Sequence, residues 1–179
     1  IPPVIIYNFQ TFKFKILERS PAMRRHDREI TDMNKIHEII DSCQVCRLGF
    51  NDNGEVYIVP LNFGARLDFD GNLTLYFHGA KAGRKYELIK KGGRVSFEMD
   101  TGYTVRGENI PCQYTAAFQS VMGTGTILEV TNSDEIISGL NCILKQATGR
   151  DVWTYSENML SEVCVFKVVP DQLSCKVHL

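Results

Sequence analysis

No surplus of either charge marks this chain, in which 20 Lys and Arg face 21 Asp and Glu for a formal net charge of −1. A nucleic-acid reader carries a basic excess or a basic stripe, so nucleic acid is not an expected partner. Long uninterrupted apolar runs are also missing. The stretch from Ile1 to Leu17 is broken by Asn8, Gln10, Lys13 and Lys15, which leaves neither the apolar region of a signal peptide nor a membrane span. Six cysteines among 179 residues lack the density of a disulfide scaffold, and a reduced, cytoplasmic setting is expected. Cys43-Gln-Val-Cys46 has redox or metal spacing, yet no second CxxC and no spaced histidine pair completes a zinc site. Its better reading is two small apolar side chains in a strand. Two phosphate-binding loops are absent as well. Arg84 follows Gly83 where a P-loop needs Lys and then Ser or Thr, and Gly123-Thr-Gly125 meets Leu128 where a dinucleotide fingerprint needs its third glycine.

What remains is a chain 44% hydrophobic and 23% charged, enough to bury one core as a single domain. Because Met23 precedes the more regular sequence, residues 1–22 are expected to form an arm or extension and 23–179 the domain. Thr31 or Asp32 can cap a short helix carrying Met33, Ile36, Ile39 and Ile40 on one face. Cys43 to Phe50 reads as a strand. Asn51-Asp-Asn-Gly54 is a hairpin turn, and Glu55 to Leu67 continues as a long strand interrupted at Pro60. Asp70-Gly71 turns into Leu73 to Phe77, and Tyr86, Leu88 and Ile89 sit in a helix closed by Gly92-Gly93. Arg94 to Met99 is a strand, Thr101 to Pro111 a polar loop, and Gln113 to Val130 a long strand bent at Gly123 and Gly125. Ser133 is expected to cap a helix running to about Gln146, and Thr148-Gly149 to end it. Val163 to Val169 is a core strand, with Leu173, Cys175 and Val177 alternating behind Pro170. Hairpin-linked strands with inserted helices point to a small antiparallel barrel.

The segment Leu75-Tyr-Phe-His-Gly-Ala-Lys-Ala-Gly-Arg-Lys85 carries the chemistry. A strand ends in a small turn and delivers adjacent cations where a helix begins, so unpaired N–H groups and the positive helix end combine with Arg84 and Lys85 to suit a phosphate. His78 is the one histidine inside a strongly apolar strand. His26, His37 and His178 read as surface residues, and Trp153 and Tyr155 as aromatics packed against the barrel.

Five segments then carry a resemblance. Met-Arg-Arg-x-x-Arg-Glu-Ile (23–30), Cys-x-Val-Cys-Arg-Leu-Gly (43–49), Tyr-Ile-Val-Pro-Leu-Asn-Phe (57–63), Tyr-Phe-His-Gly-Ala-Lys-x-Gly-Arg-Lys (76–85) and Ser-Val-x-Gly-x-Gly (120–125) resemble the nitroimidazole-resistance (Nim-like) flavoproteins in order and spacing. These are a branch of the pyridoxamine 5'-phosphate oxidase-like family, and the similarity spans residues 23–169. The resemblance implies a mainly β fold with inserted helices, a six-stranded antiparallel split β-barrel. It further implies a homodimer that holds FMN, or FAD, between its subunits. The resemblance places the flavin phosphate at Gly79, Ala80, Gly83, Arg84 and Lys85 with a hydroxyl from Ser120. It sets Val59, Pro60, Leu61 and Asn62 along the flavin ring and His78 beside it as the catalytic candidate. The implied activity is flavin-dependent reduction of nitroimidazole-type or other nitroaromatic acceptors, with electrons from a reduced nicotinamide or another cellular donor. Pyridoxamine 5'-phosphate oxidation is an alternative, disfavoured because the tail after Asp171 is short and lacks an Arg and His set for a second phosphate. Non-catalytic flavin or haem binding is another.

Overall fold

The computed structural model describes residues 25–179, so the expected arm over residues 1–22 lies outside the described residues. A short 3-10 turn and β1 (Glu29–Ile30) lead into α1 (Met33–Ser42). Of the two candidate caps, Asp32 is the one used, its carboxylate accepting from the N–H groups of Asn34 and Lys35. Cys43 ends this helix, donating its N–H to Ile40 O at 3.0 Å, and β2 (Cys46–Asp52) therefore starts later than its apolar run suggested. Asn53 and Gly54 then take φ of 56° and 94°, the positive pair that a two-residue hairpin turn requires.

The expected strand from Glu55 to Leu67 is two strands, β3 (Glu55–Leu61) and β4 (Phe63–Leu67). The break falls at Asn62 rather than at Pro60. Proline is tolerated inside β3 because β3 is an edge strand, where a missing N–H need not cost a ladder bond. β5 (Leu73–Ala80) and α2 (Arg84–Lys91) follow. β7 (Thr115–Glu129) falls within its expected bounds, whereas β6 (Gly93–Arg106) runs far past Met99, since the polar stretch after Thr101 keeps pairing out to Arg106↔Thr115. Its Thr, Tyr and Val residues suit a strand whatever their polarity.

Asn132, one residue before the expected Ser133, caps α3 (Ser133–Thr148). α4 (Glu157–Glu162) was not legible in an irregular segment. β8 (Val163–His178) is continuous through Pro170, because Thr124↔Gln172 is followed by Gly125↔Pro170 and Asp171 is left over as a β-bulge. The bend expected at Gly125 is this register shift.

All strands are antiparallel, in the order β3-β2-β6-β7-β8-β5-β4, with β1 added to β8. Among the described residues eight strands stand where six were expected, because one expected strand divides and β1 joins the sheet. β3 and β4 lie at opposite ends of this path yet are one residue apart in the chain, so the sheet must roll up until its ends meet at Asn62. The result is a split barrel. Alternation sends Leu48, Phe50, Leu75, Phe77, Phe97, Val121 and Phe166 inside, and α1 and α2 add Ile36, Ile40, Leu88 and Ile89 to the same core. Full burial of such a side chain contributes about 1.5–3 kcal/mol.

α3 packs outside, on β4 and β5, around Tyr76, Val130, Ile143 and Val165. Tyr76 O–H donates to Glu135 at 3.0 Å and accepts from Arg66 at 2.6 Å, while Lys167 closes on the same carboxylate at 2.6 Å. Burial pushes the Tyr76 phenol up to about 12. The helix approaches so closely that a Cβ at Gly64 would clash with the backbone of Cys142 and Ile143. Backbone cannot rotate aside as a side chain can. Gly64→Ala is therefore expected to cost about 1–3 kcal/mol of folding stability, the range for overpacking, measured by chemical denaturation; an unchanged midpoint would show that α3 is free to shift.

Candidate functional site

Along β5, Leu73, Leu75 and Phe77 enter the barrel, Tyr76 is buried beneath α3, and His78 on the Tyr76 face is exposed. β4 accompanies β5 only as far as the pair Phe63↔Phe77. Beyond it, His78, Gly79 and Ala80 pair with β8 on one side alone. β3 likewise pairs only with β2 among the described residues. One further step of the β4–β5 register sets Asn62 opposite His78. Two strand edges whose outward N–H and C=O groups find no partner strand among the described residues, along β3 and at the end of β5, thus run out from one corner. Of the ring-side residues expected from the sequence, Val59 and Leu61 turn inward against the core, and Pro60 and Asn62 face solvent.

α2 begins at the other end of this gap. Gly83 takes φ of 90° before Arg84, and no side chain among the described residues caps the helix, so its first-turn N–H groups keep no side-chain acceptor there. The two adjacent cations have different fates. Arg84 donates from Nε to Asp52 at 2.7 Å, brings Nη2 within 3.5 Å of Glu55, and lies 4.4 Å over the Tyr57 ring. The hydrogen bond to Asp52 raises its pKa. Lys85 is half-buried, with Nζ 5.7 Å over the Phe166 ring, and has no hydrogen-bonding or ionic partner among the described residues. A Cβ at residue 79 would lie 2.7 Å from Nζ, so any other residue there would displace the end of the Lys85 side chain. Lost hydration lowers the pKa of Lys85, and a dehydrated cation without a counter-ion favours an incoming anion. Lys81, beside it, donates to the Ser161 carbonyl.

The structure thus brings together Asn62, His78, Gly79, Ala80, Gly83, Arg84 and Lys85 around one gap. It does not bring Ser120 there. Ser120 stands in β7 between Asp100 and Lys176, and Lys176 is far along β8 from the Val163 that pairs with Ala80. Sequence reasoning missed Asp52, Glu55 and Tyr57. Their residue types were visible around the Asn-Gly turn, but only the fold carries that turn to Arg84.

The remaining candidates are structural. Burial pushes the Cys43 thiol up to about 12 and Cys46 higher still, so neither supplies the thiolate that redox or metal chemistry needs. All six cysteines are free, and no cluster of metal-ligating side chains occurs among the described residues. Trp153 donates to Arg150 O, and Tyr155 donates to Asn141 on α3. His178 Nδ1 lies 2.7 Å from Ala116 O, part-buried rather than at the surface. No helix among the described residues is long and apolar enough to cross a membrane.

His78 has its pKa lowered, first by lost hydration where protein crowds the ring and second by the Lys85 charge, although the residue as a whole is exposed. It is therefore neutral at pH 7, with one donor and one acceptor nitrogen. Between the lowered folded value and about 6.5 the unfolded chain binds more protons, so stability rises with pH across that window. Titration by NMR is expected to give a His78 midpoint below that of free histidine, and Lys85→Gln should move it part of the way back. A midpoint at or above the free value would contradict the crowding of the ring.

The family model for pyridoxamine 5'-phosphate oxidase matches residues 32–177. Among solved structures, a candidate 5-nitroimidazole antibiotic resistance protein from Bacteroides thetaiotaomicron is 30% identical, with 83% of this chain and 86% of that one covered and a TM-score of 0.71. The flavocytochrome Anf3 from Azotobacter vinelandii is 18% identical over 87% of this chain and 72% of its own, with a TM-score of 0.71. An FAD and heme binding protein from Mycobacterium smegmatis is 14% identical over 84% and 73%, with a TM-score of 0.69. At those last two identities the likeness is one of fold. Among curated proteins nothing matches. The matched segment and the 30% identical relative, together with a barrel split at Asn62, show that this chain belongs to the pyridoxamine 5'-phosphate oxidase family.

Proposed function

We propose that the chain is a flavin-dependent oxidoreductase that binds FMN at the gap between β3 and β5 and reduces nitroimidazole-type or other nitroaromatic acceptors. The observation that carries this is Lys85, a half-buried cation without a partner among the described residues, at the uncapped start of α2. A phosphate monoester supplies the charge that Lys85 lacks and accepts from the first-turn N–H groups. The unused backbone edges of β3 and β5 suit the polar rim of a flat ring, with Asn62 and His78 at the corner where they meet. FAD would share the ring contacts and meet the same cations through its pyrophosphate. When bound, the flavin supplies the electron transfer to the acceptor. The protein's own contribution is orientation, with neutral His78 able to donate to or accept from a nitro group or its reduction product at the exposed end of the gap. Similarity to the Bacteroides thetaiotaomicron protein supports a nitroaromatic acceptor. Free cysteines with suppressed thiolates agree with a reduced, cytoplasmic setting.

A second subunit completes this reading. Ser120 is remote from the gap within one chain, so any contact it makes with the flavin comes from a partner copy in a homodimer. The edge strand also leaves Val56 and Ile58 exposed at 76% and 61%, apolar surface that a second copy would cover. The protein is expected to sediment as a dimer when flavin is bound; a monomer with flavin bound would refute the shared site.

Titration of the apoprotein with FMN should quench flavin fluorescence, and Lys85→Met should weaken FMN by about 1.5–3 kcal/mol, the contribution of a charged hydrogen bond. Unchanged affinity would remove the phosphate from this turn. His78→Ala is expected to retain FMN and the dimer while lowering nitro-group reduction at least about tenfold, a conservative part of the range for general acid–base assistance. Flavin binding without turnover of any nitroaromatic would favour a binding protein, and a haem absorption band a haem carrier.

A further inference from the structure

We infer that Asp52 and Glu55 form an intramolecular latch on Arg84 that competes with the flavin phosphate, so that the β2–β3 turn sets how strongly the site discriminates FMN from phosphate-free riboflavin. This rests on the flavin reading above. Gripping a phosphate with a guanidinium fork takes two parallel N–H groups. In this structure Nε is hydrogen-bonded to Asp52 at 2.7 Å, which takes one arm of the Nε–Nη2 fork, and Glu55 lies 3.5 Å from Nη2 as a second, looser ion pair. A grip through the Nε–Nη2 edge therefore requires Asp52 to yield, and a grip through the Nη1–Nη2 edge must be made beside two carboxylates that already offset the guanidinium charge.

The latch is built to hold. Both carboxylates flank one tight turn, which is fixed by its Asn-Gly backbone and by the Gly54 N–H bonded to Asn51 at 2.8 Å. The Tyr57 ring from the same hairpin supports the guanidinium 4.4 Å away. Asp52 is the more enclosed of the two, its side chain 18% exposed against 81% for Glu55. Lys85 stays outside the latch. The two cations thus divide the work, Lys85 being available at once and Arg84 only in competition with the carboxylates already beside it. A phosphate must displace the Asp52 ion pair or share the guanidinium with it against the repulsion of two carboxylates, so its net gain from Arg84 is smaller than from an unpaired cation.

The test is fluorescence titration of apoprotein with FMN and, separately, with riboflavin, for wild type, Asp52→Asn, Glu55→Gln and Arg84→Ala, each checked for an unchanged circular-dichroism spectrum. Release of the latch is expected to tighten FMN about twofold to fivefold in Asp52→Asn, the scale of a partly exposed ion pair. The effect should be smaller in Glu55→Gln, with riboflavin unchanged in both. Arg84→Ala should weaken FMN, and adding Asp52→Asn to it should restore nothing. If Asp52→Asn leaves FMN unchanged or weakens it while Arg84→Ala still weakens it, the latch is wrong and the phosphate site stands. If Arg84→Ala leaves FMN unchanged, Arg84 is no phosphate ligand and the inference falls with it. Should Asp52→Asn fail to fold, Glu55→Gln decides, and no tightening there overturns the latch.

Discussion

The junction at Asn62 governs this structure. β3 and β4 occupy the two ends of a seven-strand path, yet a single residue joins them. A sheet can meet that condition only by curling until its first and last strands share a corner. Strand twist makes such curling natural, but the short connection makes it obligatory. Closure at the corner is covalent, so the two edges leaving it need no hydrogen bonds to each other. The barrel consequently stays split, and the unused backbone groups along β3 and at the end of β5 arise directly from the topology. Buried inside a domain, such groups would be costly; at a surface gap they are available to a ligand or another chain.

Electrostatics at the far end of the gap shows how little a charge pattern says before the fold is known. Arg84 and Lys85 are neighbours in sequence, but a helix turns successive side chains about 100° apart. That rotation sends Arg84 over the hairpin and Lys85 toward Phe166. One cation is neutralised by carboxylates at the surface. The other loses hydration without gaining a counter-ion, and it depresses the pKa of His78 as well. The same side-chain chemistry therefore becomes a satisfied pair in one case and an anion site in the other.

Much of the architecture was legible locally. Asp32 before an apolar helical stripe, the Asn-Gly turn, Gly92 and Gly149 after helices, and alternating apolar strands each depend on interactions within a few residues. The turn from Gly79 to Lys85 was legible for the same reason, since strand end, small turn and helix start are contiguous. Failures came where a distant partner decides. The stretch from Thr101 to Arg106 reads as a polar loop until β7 pairs with it, and Pro170 reads as a strand end until Gly125 accommodates a bulge.

The sequence by itself determined the antiparallel, hairpin-linked barrel, the glycines that end α2 and α3, and the phosphate-suited turn, because these follow from backbone preferences and apolar periodicity over short range. Tertiary structure alone decided that the chain breaks at Asn62, that Asp52 and Glu55 reach Arg84, that Lys85 stays unpaired among the described residues, and that Ser120 lies away from the gap. Each of these depends on which strands become neighbours. That choice is made by closing the whole sheet around one core, and no local window of the sequence contains it.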